Sequence, residues 1–275
     1  MAERSSTRLA GAVAPYRAVL RSRMRAQLEY RRSFALDVIG SVGIGVLEFA
    51  EIYVIFSSIE ALGGLTFGGM ALMFGLANLA FSLADLLVGH LDRIPYYVRT
   101  GTLDALLLRP LPVLAQLATD DIQLRRLGRA GIAVVVLVIA LAVNPIAFTP
   151  ATVTLLIMTP VAGTAIFSAL FVAAAGCQFW LVDASEMVNS FTYGSSYAAT
   201  YPTAIFTTPM RVLFTFVVPA AFTAYLPTLL LLGLDGPSWT PAWLGWLTPV
   251  AALAAWGAAM LLWRAGLRHY TGAGS

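Results

Sequence analysis

Residues 90–129 read HLDRIPYYVRTGTLDALLLRPLPVLAQLATDDIQLRRLGR. The stretch holds six arginines and four aspartates, so it is too charged to cross a bilayer. It is also too long for a simple turn. On each side lies an apolar run, about 65–89 before it and about 130–147 after it. A charged insert between two such runs divides them into separate membrane helices with the insert in water.

The same pattern extends outward over the chain. A helix needs about 20 mainly apolar residues to span a bilayer. Six runs qualify: about 34–58, 65–89, 130–147, 153–181, 208–232 and 247–267. Pro219 and Pro227 fall within the fifth. Composition agrees, with 59% hydrophobic and 11% charged residues and a mean hydropathy of +0.80. Soluble domains are about a quarter charged, so this chain cannot clothe a water-facing surface. The expected fold is an all-α polytopic membrane protein with six transmembrane helices.

Arginine placement orients these helices. All 17 basic residues are Arg. Eight lie in residues 1–33, six in 90–129, Arg211 begins the fifth run, and Arg264 and Arg268 end the sixth. The connections near 59–64, 144–152 and 233–246 have none. Arginine-rich flanks stay in the cytoplasm, so both termini are expected to be cytoplasmic. Residues 1–33 then form a cytoplasmic basic tail, 34–269 the six-span domain and 270–275 a short cytoplasmic tail. No removable signal peptide is expected, because the first 33 residues lack an apolar core with a cleavage site.

Within the tail, Leu20, Met24 and Leu28 recur every four residues beside Arg17, Arg21 and Arg25. Pro15–Arg32 is therefore predicted to be an amphipathic interfacial helix, or a basic anchor that fixes topology. Trp239, Trp243 and Trp246 in the connection 233–246 share one helical face. They suggest a short half-inserted helix at the opposite surface.

Several chemistries are excluded. Without lysine there is no Schiff base and no Walker A phosphate loop, so the chain is not expected to hydrolyse ATP alone. One cysteine, Cys177, allows no disulfide within the chain. Two histidines, His90 and His269, give little material for a metal site. No HExxH motif is present, so an enzyme reading has poor support. No nucleic-acid partner and no metal are expected.

Acids inside spans are costly and face protein or water. In the first run Asp37, Glu48 and Glu51 lie close to one helical face, with Ser41 on the same stripe. In the second, Asn78, Ser82 and Asp85 follow spacings of four and three. These stripes form either the wall of a translocation path for a lipophilic or cationic substrate, or a packing surface between helices or subunits. Glu48 lies nearest mid-span. Gly40, Gly43 and Gly45 permit close helix approach.

The insert has internal punctuation. Thr102 is placed to cap a helix, Leu103, Leu106 and Leu107 follow at helical spacing, and Arg109 precedes Pro110, which disfavours further helix. A helix of about two turns is predicted from about Leu103 to Leu108. A second begins near Val113, with Asp121 four residues before Arg125, and is expected to run into the third span. The first helix bears a half-exposed leucine face that needs a cover, either lipid or a docked protein. Further on, Asp183 and Glu186 have capping-box spacing, and NSFTYGSSYAATYP (189–202) reads as a turn-rich segment or broken helix.

At this point the chain resembles the ABC-2-type permeases, the membrane subunits of bacterial ABC exporters. The pattern R-x-G-x-L-D-x-x-L-L-R-P-L is met by Arg99, Gly101, Leu103, Asp104, Leu107, Leu108, Arg109, Pro110 and Leu111. A second match is YPTAIFTTPMRVLFTFVVPAAFTAYLP, with Tyr201, Pro202, Pro219, Tyr225 and Pro227 in family-like places. The resemblance implies an ATP-driven exporter in the bacterial plasma membrane. It implies a second permease, identical or paralogous, and two separate cytosolic ATPase subunits that carry the ATP and Mg, with no cofactor on this chain. The amphipathic head would be a connecting helix. Leu103, Asp104, Leu107, Leu108, Arg109 and Pro110 would form a cytoplasmic coupling helix resting on the ATPase. Asp104 and Arg109 would pair with charges there, or would only fix the local helix ends. A rival reading is an ion- or proton-coupled secondary transporter that uses Glu48, Glu51 or Asp85.

Overall fold

A computed structural model describes residue 29 and residues 31–120, 123–181 and 185–272. The expected amphipathic helix at Pro15–Arg32 lies almost wholly outside these residues. So do Asp121 and Asp183, and with them the expected Asp121–Arg125 pair and the Asp183–Glu186 capping box.

The described residues are mostly helical. Four apolar runs became long helices: α1 (Arg31–Phe56), α2 (Phe67–Val88), and, after three short helices of the insert, α6 (Leu127–Val143) and α7 (Pro150–Cys177). Those short helices are α3 (Ile94–Arg99), α4 (Thr102–Leu107) and α5 (Val113–Asp120). Next come α8 (Ser185–Ala199), α9 (Thr208–Val212, continued by a π-helical turn over Leu213–Val217), α10 (Ala220–Thr223), α11 (Tyr225–Leu231) and α12 (Thr248–His269). Five helical segments are long and apolar enough to cross a membrane, and one bent pair qualifies if counted as a single span.

The core is α2, buried along most of its length between α6 and α7. Small residues set the distances. Gly75 lies against the Leu137 backbone, Gly163 against Ala80, and Gly176 against the backbone of Leu262 and Trp263. The α1 helix is peripheral. It touches α6 where Gly45 meets Ile132 and Gly128 meets Val38 and Ser41. Its outer side exposes Leu36, Ile39, Leu47 and Tyr53, an apolar surface suited to lipid or a partner helix.

The bundle has two ends, one formed by the insert 89–126 and the other by the turns 57–66 and 144–149. These landmarks correct the expected fifth span. Residues 208–232 do not form one straight helix. Pro219 cannot donate a backbone N–H, and Val218 before it is extended, at φ −110° and ψ 98°. The segment breaks there, and its two limbs differ in axis by 62°. Just before the first limb, Pro202 and Ile205 lie against Gly63 at the turn end. The second limb finishes with Leu232 against Gly69, also at the turn end. Between them, Thr223 lies against Gly163, the midpoint of α7. The pair therefore dips to mid-depth and returns to the end it came from.

The climb from the insert end to the turn end falls to α8 instead. Its Tyr193 bonds Asp92 in the 3-10 turn Gly89–Arg93, and the chain after its last turn reaches Gly63. What the sequence offered as a turn-rich segment or broken helix is a regular helix of 15 residues. Arg211 moves with this correction. It donates to the carbonyls of Phe206 and Ala204 at 2.6 and 2.7 Å and lies 5.5 Å from the Trp239 ring centroid. It thus sits at the turn end, apart from the arginines of the insert. The expected tryptophan face is altered too, since the helix there spans only Ala242–Leu247 and leaves Trp239 to pack on Arg211.

Single cysteines in a Cys177→Ser background test this path. Ile205→Cys and Leu234→Cys should react with a membrane-impermeant maleimide from the same side, and Arg125→Cys from the other. Labelling of positions 205 and 234 from opposite sides would restore the straight span.

Candidate functional site

Two groups of residues carry the polar chemistry. The first lies inside the bundle, where α1, α2, α6 and α8 meet. Glu48 is only 8% exposed and forms an ion pair with Arg129, whose Nε lies 3.2 Å from Oε2. At 1.5 Å per residue Glu48 sits about 12 Å below Phe56, the end of α1, which is well inside the span. Arg129 stands near the start of α6 and reaches inward, with its guanidinium 5.4 Å from the centroid of Phe81. Nearer the insert end, Arg126 pairs with Asp85 at 3.1 Å and also donates to the Asp85 carbonyl.

The α8 helix supplies a third wall. Tyr193 and Tyr197 share one face at four-residue spacing, and Tyr201 follows just past the end of the helix. The Tyr193 hydroxyl donates to Asp92 at 3.2 Å, and Tyr197 lines the same crevice as Glu48. Tyr201, with Glu51, Asn78, Thr200 and the Glu48–Arg129 pair, lines a crevice of about 10 Å3. That volume is at the threshold for a single water. The tyrosines and the two arginines are residues that sequence reasoning did not assign to this site. A signal existed in the Y-x-x-x-Y-x-x-x-Y spacing, but the surrounding serines and threonines read as turn.

The expected path residues divide accordingly. Glu48, Asn78 and Asp85 join the cluster, and Glu51 stands exposed at its edge. Ser82 is buried on the same stripe, and its hydroxyl has no hydrogen-bond partner among the described residues. Asn78 donates to the Phe74 carbonyl at 3.3 Å. Asp37 lies outside the cluster, exposed near the insert end of α1.

The second group is the insert, which folds as a compact unit. The predicted helix is present as α4, bounded by Gly101 and by Leu108 before Arg109 and Pro110. Its start differs from expectation. Gly101 occupies the N-cap at φ +67°, a left-handed conformation that glycine adopts without steric cost. Thr102 falls inside the helix, and its hydroxyl pairs with that of Thr100 at 2.6 Å. The α5 helix starts at Val113 as predicted but does not run on into α6, because Gln123 is extended before a separate 3-10 turn.

The leucine face also divides. Leu103 and Leu106 are buried in a second core with Leu117, Phe179 and Trp263, so the chain itself covers them. Leu107, Leu108, Arg109 and Pro110 remain exposed, Leu108 at 87%. Polar bonds fasten the knob. Gln116 donates to the Leu106 and Leu111 carbonyls at 3.0 and 2.9 Å, and Tyr97 to Asp120 at 2.7 Å. His90 bonds the Leu117 carbonyl. Asp104 accepts from Tyr270 at 2.9 Å, which draws the residue after α12 into this unit. Asp104 thus has a partner within the chain, while Arg109 points to the exposed side with Leu108.

The Glu48–Arg129 pair should behave as a unit. Glu48→Leu or Arg129→Leu alone leaves a buried charge and should cost about 3 kcal/mol. The double variant should recover most of that loss. Thermal unfolding of the purified protein, followed by size-exclusion, measures all three. Additive losses would show that the two side chains are not coupled.

No curated protein and no solved structure matches the chain in comparison. Residues 42–274 match the sequence profile described as ABC-2 family transporter protein. That match takes in every helix from within α1 to α12, including the charge cluster and the folded insert, and the chain is a multi-pass membrane protein that belongs to the ABC-2 transporter family.

Proposed function

We propose that the chain is the permease subunit of an ATP-driven exporter in a bacterial plasma membrane, working with a second permease and with cytosolic ATPase subunits that hold the ATP and Mg. The insert lies on the cytoplasmic side with both termini. Six crossings result: α1, α2, α6, α7, α8 with the residues that follow it, and α12. The pair α9–α11 dips in from the outer side. This arrangement supports the even number of crossings while changing which segment makes the fifth.

The observation that carries the reading is the two-sided insert. Its outer side offers Leu107, Leu108, Arg109 and Pro110 to a partner. Its inner side places Leu103 and Leu106 in one buried cluster with Phe179, just after α7, and Trp263 of α12. A push on the exposed side is therefore delivered to two spans at once. Nucleotide biases such a switch only because the two states bind it with different affinity. Leu103 and Asp104 act in this scheme as anchors, and Leu107, Leu108, Arg109 and Pro110 as the docking surface.

The translocation path follows the polar face of α1, α2 and α8. Glu51 and Tyr197 are exposed on that face, deep enough to need water or protein against them. A second permease across this face would supply the other wall, and the negative edge at Glu51 suits a lipophilic cation. The secondary-transporter alternative requires an acid that releases its proton during the cycle. Glu48 and Asp85 are each engaged by an arginine, Arg129 and Arg126, and this occupation of both acids favours the exporter reading.

Affinity purification from native membranes in mild detergent tests the proposal. The wild-type chain should bring down an ABC ATPase. Leu108→Glu should lose most of it at unchanged membrane abundance, and Leu107→Glu should uncouple hydrolysis from transport. Recovery of the chain without an ATPase, or full coupling in both variants, would overturn it.

A further inference from the structure

Two adjoining cavities lie where the turn 57–66 joins α1 to α2. The outer one, of about 560 Å3, has Tyr53, Phe56, Ser57 and Glu60 in its lining together with Thr66 and Phe67. The inner one, of about 460 Å3, shares Thr66, Phe67 and Gly68 with it and continues along Ala71, Val136 and Ile139. At 1.5 Å per residue Val136 lies about 10 Å inward of Val143, the last residue of α6, so the two cavities together run from the turn end into the span.

The chemistry changes along that length. In the outer cavity Phe67 packs with Tyr53 and Phe56, at 6.1 and 5.8 Å between ring centroids. Tyr53, Phe67 and Glu60 are all exposed there. A tight turn keeps Glu60 close to them: Leu62 and Leu65 exchange backbone bonds at 2.9 and 3.0 Å across Gly63 and Gly64, whose φ values are +56° and +86°. No arginine forms an ion pair with Glu60 among the described residues. In the inner cavity the polar side chains are satisfied by backbone. Asn144 donates to the Gly68 and Ala140 carbonyls at 2.8 and 2.7 Å, and Thr66 accepts from the Gly69 N–H. What remains is hydrocarbon, with Ile139 and Val143 exposed at its side.

We propose that the two cavities form one binding site for a lipophilic organic cation. Its ammonium head lies against Glu60 and the rings of Tyr53 and Phe67, and its hydrocarbon tail lies beside Ala71, Val136 and Ile139. Aromatic faces attract an alkylated ammonium, and Glu60 supplies the opposite charge. A zwitterionic lipid fits less well, because its phosphate would face Glu60. Arg211, the arginine described at this end, is already engaged by the Phe206 and Ala204 carbonyls and the Trp239 ring. The site is separate from the polar cluster, since Tyr53, Phe56 and Ser57 lie on the opposite side of α1 from Glu48 and Glu51. In the proposed exporter this end faces outward and would receive the cation that the Glu51 edge admits. That role rests on the exporter reading, whereas binding itself does not.

Photolabelling of the purified chain in phosphatidylcholine nanodiscs tests the site. The probe is dodecyltrimethylammonium with a diazirine in mid-chain, and its adducts are mapped by mass spectrometry. They should concentrate between Phe67 and Ala71 and between Val136 and Pro145. Glu60→Gln should lower their yield several-fold, while an uncharged dodecanol probe should label both proteins alike. Glu60→Arg should exclude the ammonium probe and admit the matching alkyl sulfate. Equal yields of ammonium adducts in wild type and Glu60→Gln, or adducts spread evenly over all the spans, would overturn the proposal. No ATPase is in the sample, so such a result would leave the exporter reading standing.

Discussion

A membrane interior offers no water to a charge, and this constraint organises the bundle. Each charge carried inward must meet an opposite charge or a hydroxyl inside the protein. Glu48 meets Arg129, Asp85 meets Arg126, and Asp92 meets Tyr193. These contacts join α1, α2, α6, α8 and the turn after α2. They add to the packing of α1 on α6 at Gly45 and Gly128. Pairing also ties α8 to the turn after α2, through Tyr193 and Asp92.

The insert solves a different problem with the same means. Its two prolines and Gly101 confine helix to α4, and its buried leucines share one core with residues of α7 and α12. Gln116, Tyr97 and Tyr270 satisfy carbonyls and carboxylates that would otherwise loosen the knob. The outcome is a rigid surface with an exposed tip, mounted on the spans. In the proposed exporter this mounting is what turns nucleotide-driven closure below into motion of the spans above.

Much of this was legible from residues alone. Lengths of apolar runs located α1, α2, α6, α7 and α12 to within a few residues. Pro110 marked the end of α4, whereas its cap is Gly101 and not Thr102 as expected. The α8 helix was not legible as a membrane-depth helix because hydropathy counts its hydroxyls as exposed polarity. In the structure Ser190, Ser195, Ser196 and Thr200 each donate to a carbonyl three or four residues back, so the helix satisfies them itself. The re-entrant pair was missed for the converse reason. Its apolar content matched a span, and only its contacts with Gly63, Gly163 and Gly69 reveal the reversal. The arginine partners of Glu48 and Asp85 were hidden at the charged end of the insert, where they counted toward topology. Burial of Leu103 and Leu106 depended on Phe179 and Trp263, far away in sequence.

The central claim is that the insert's exposed tip, and not its buried side, meets an ATPase. Site-specific photocrosslinking in native membranes tests it most directly. A photoreactive amino acid at Leu108 should form an adduct with a nucleotide-binding ATPase subunit, whereas the same group at Leu103 should crosslink only within the chain. Adducts from position 108 to lipid alone, with no ATPase captured, would contradict the account.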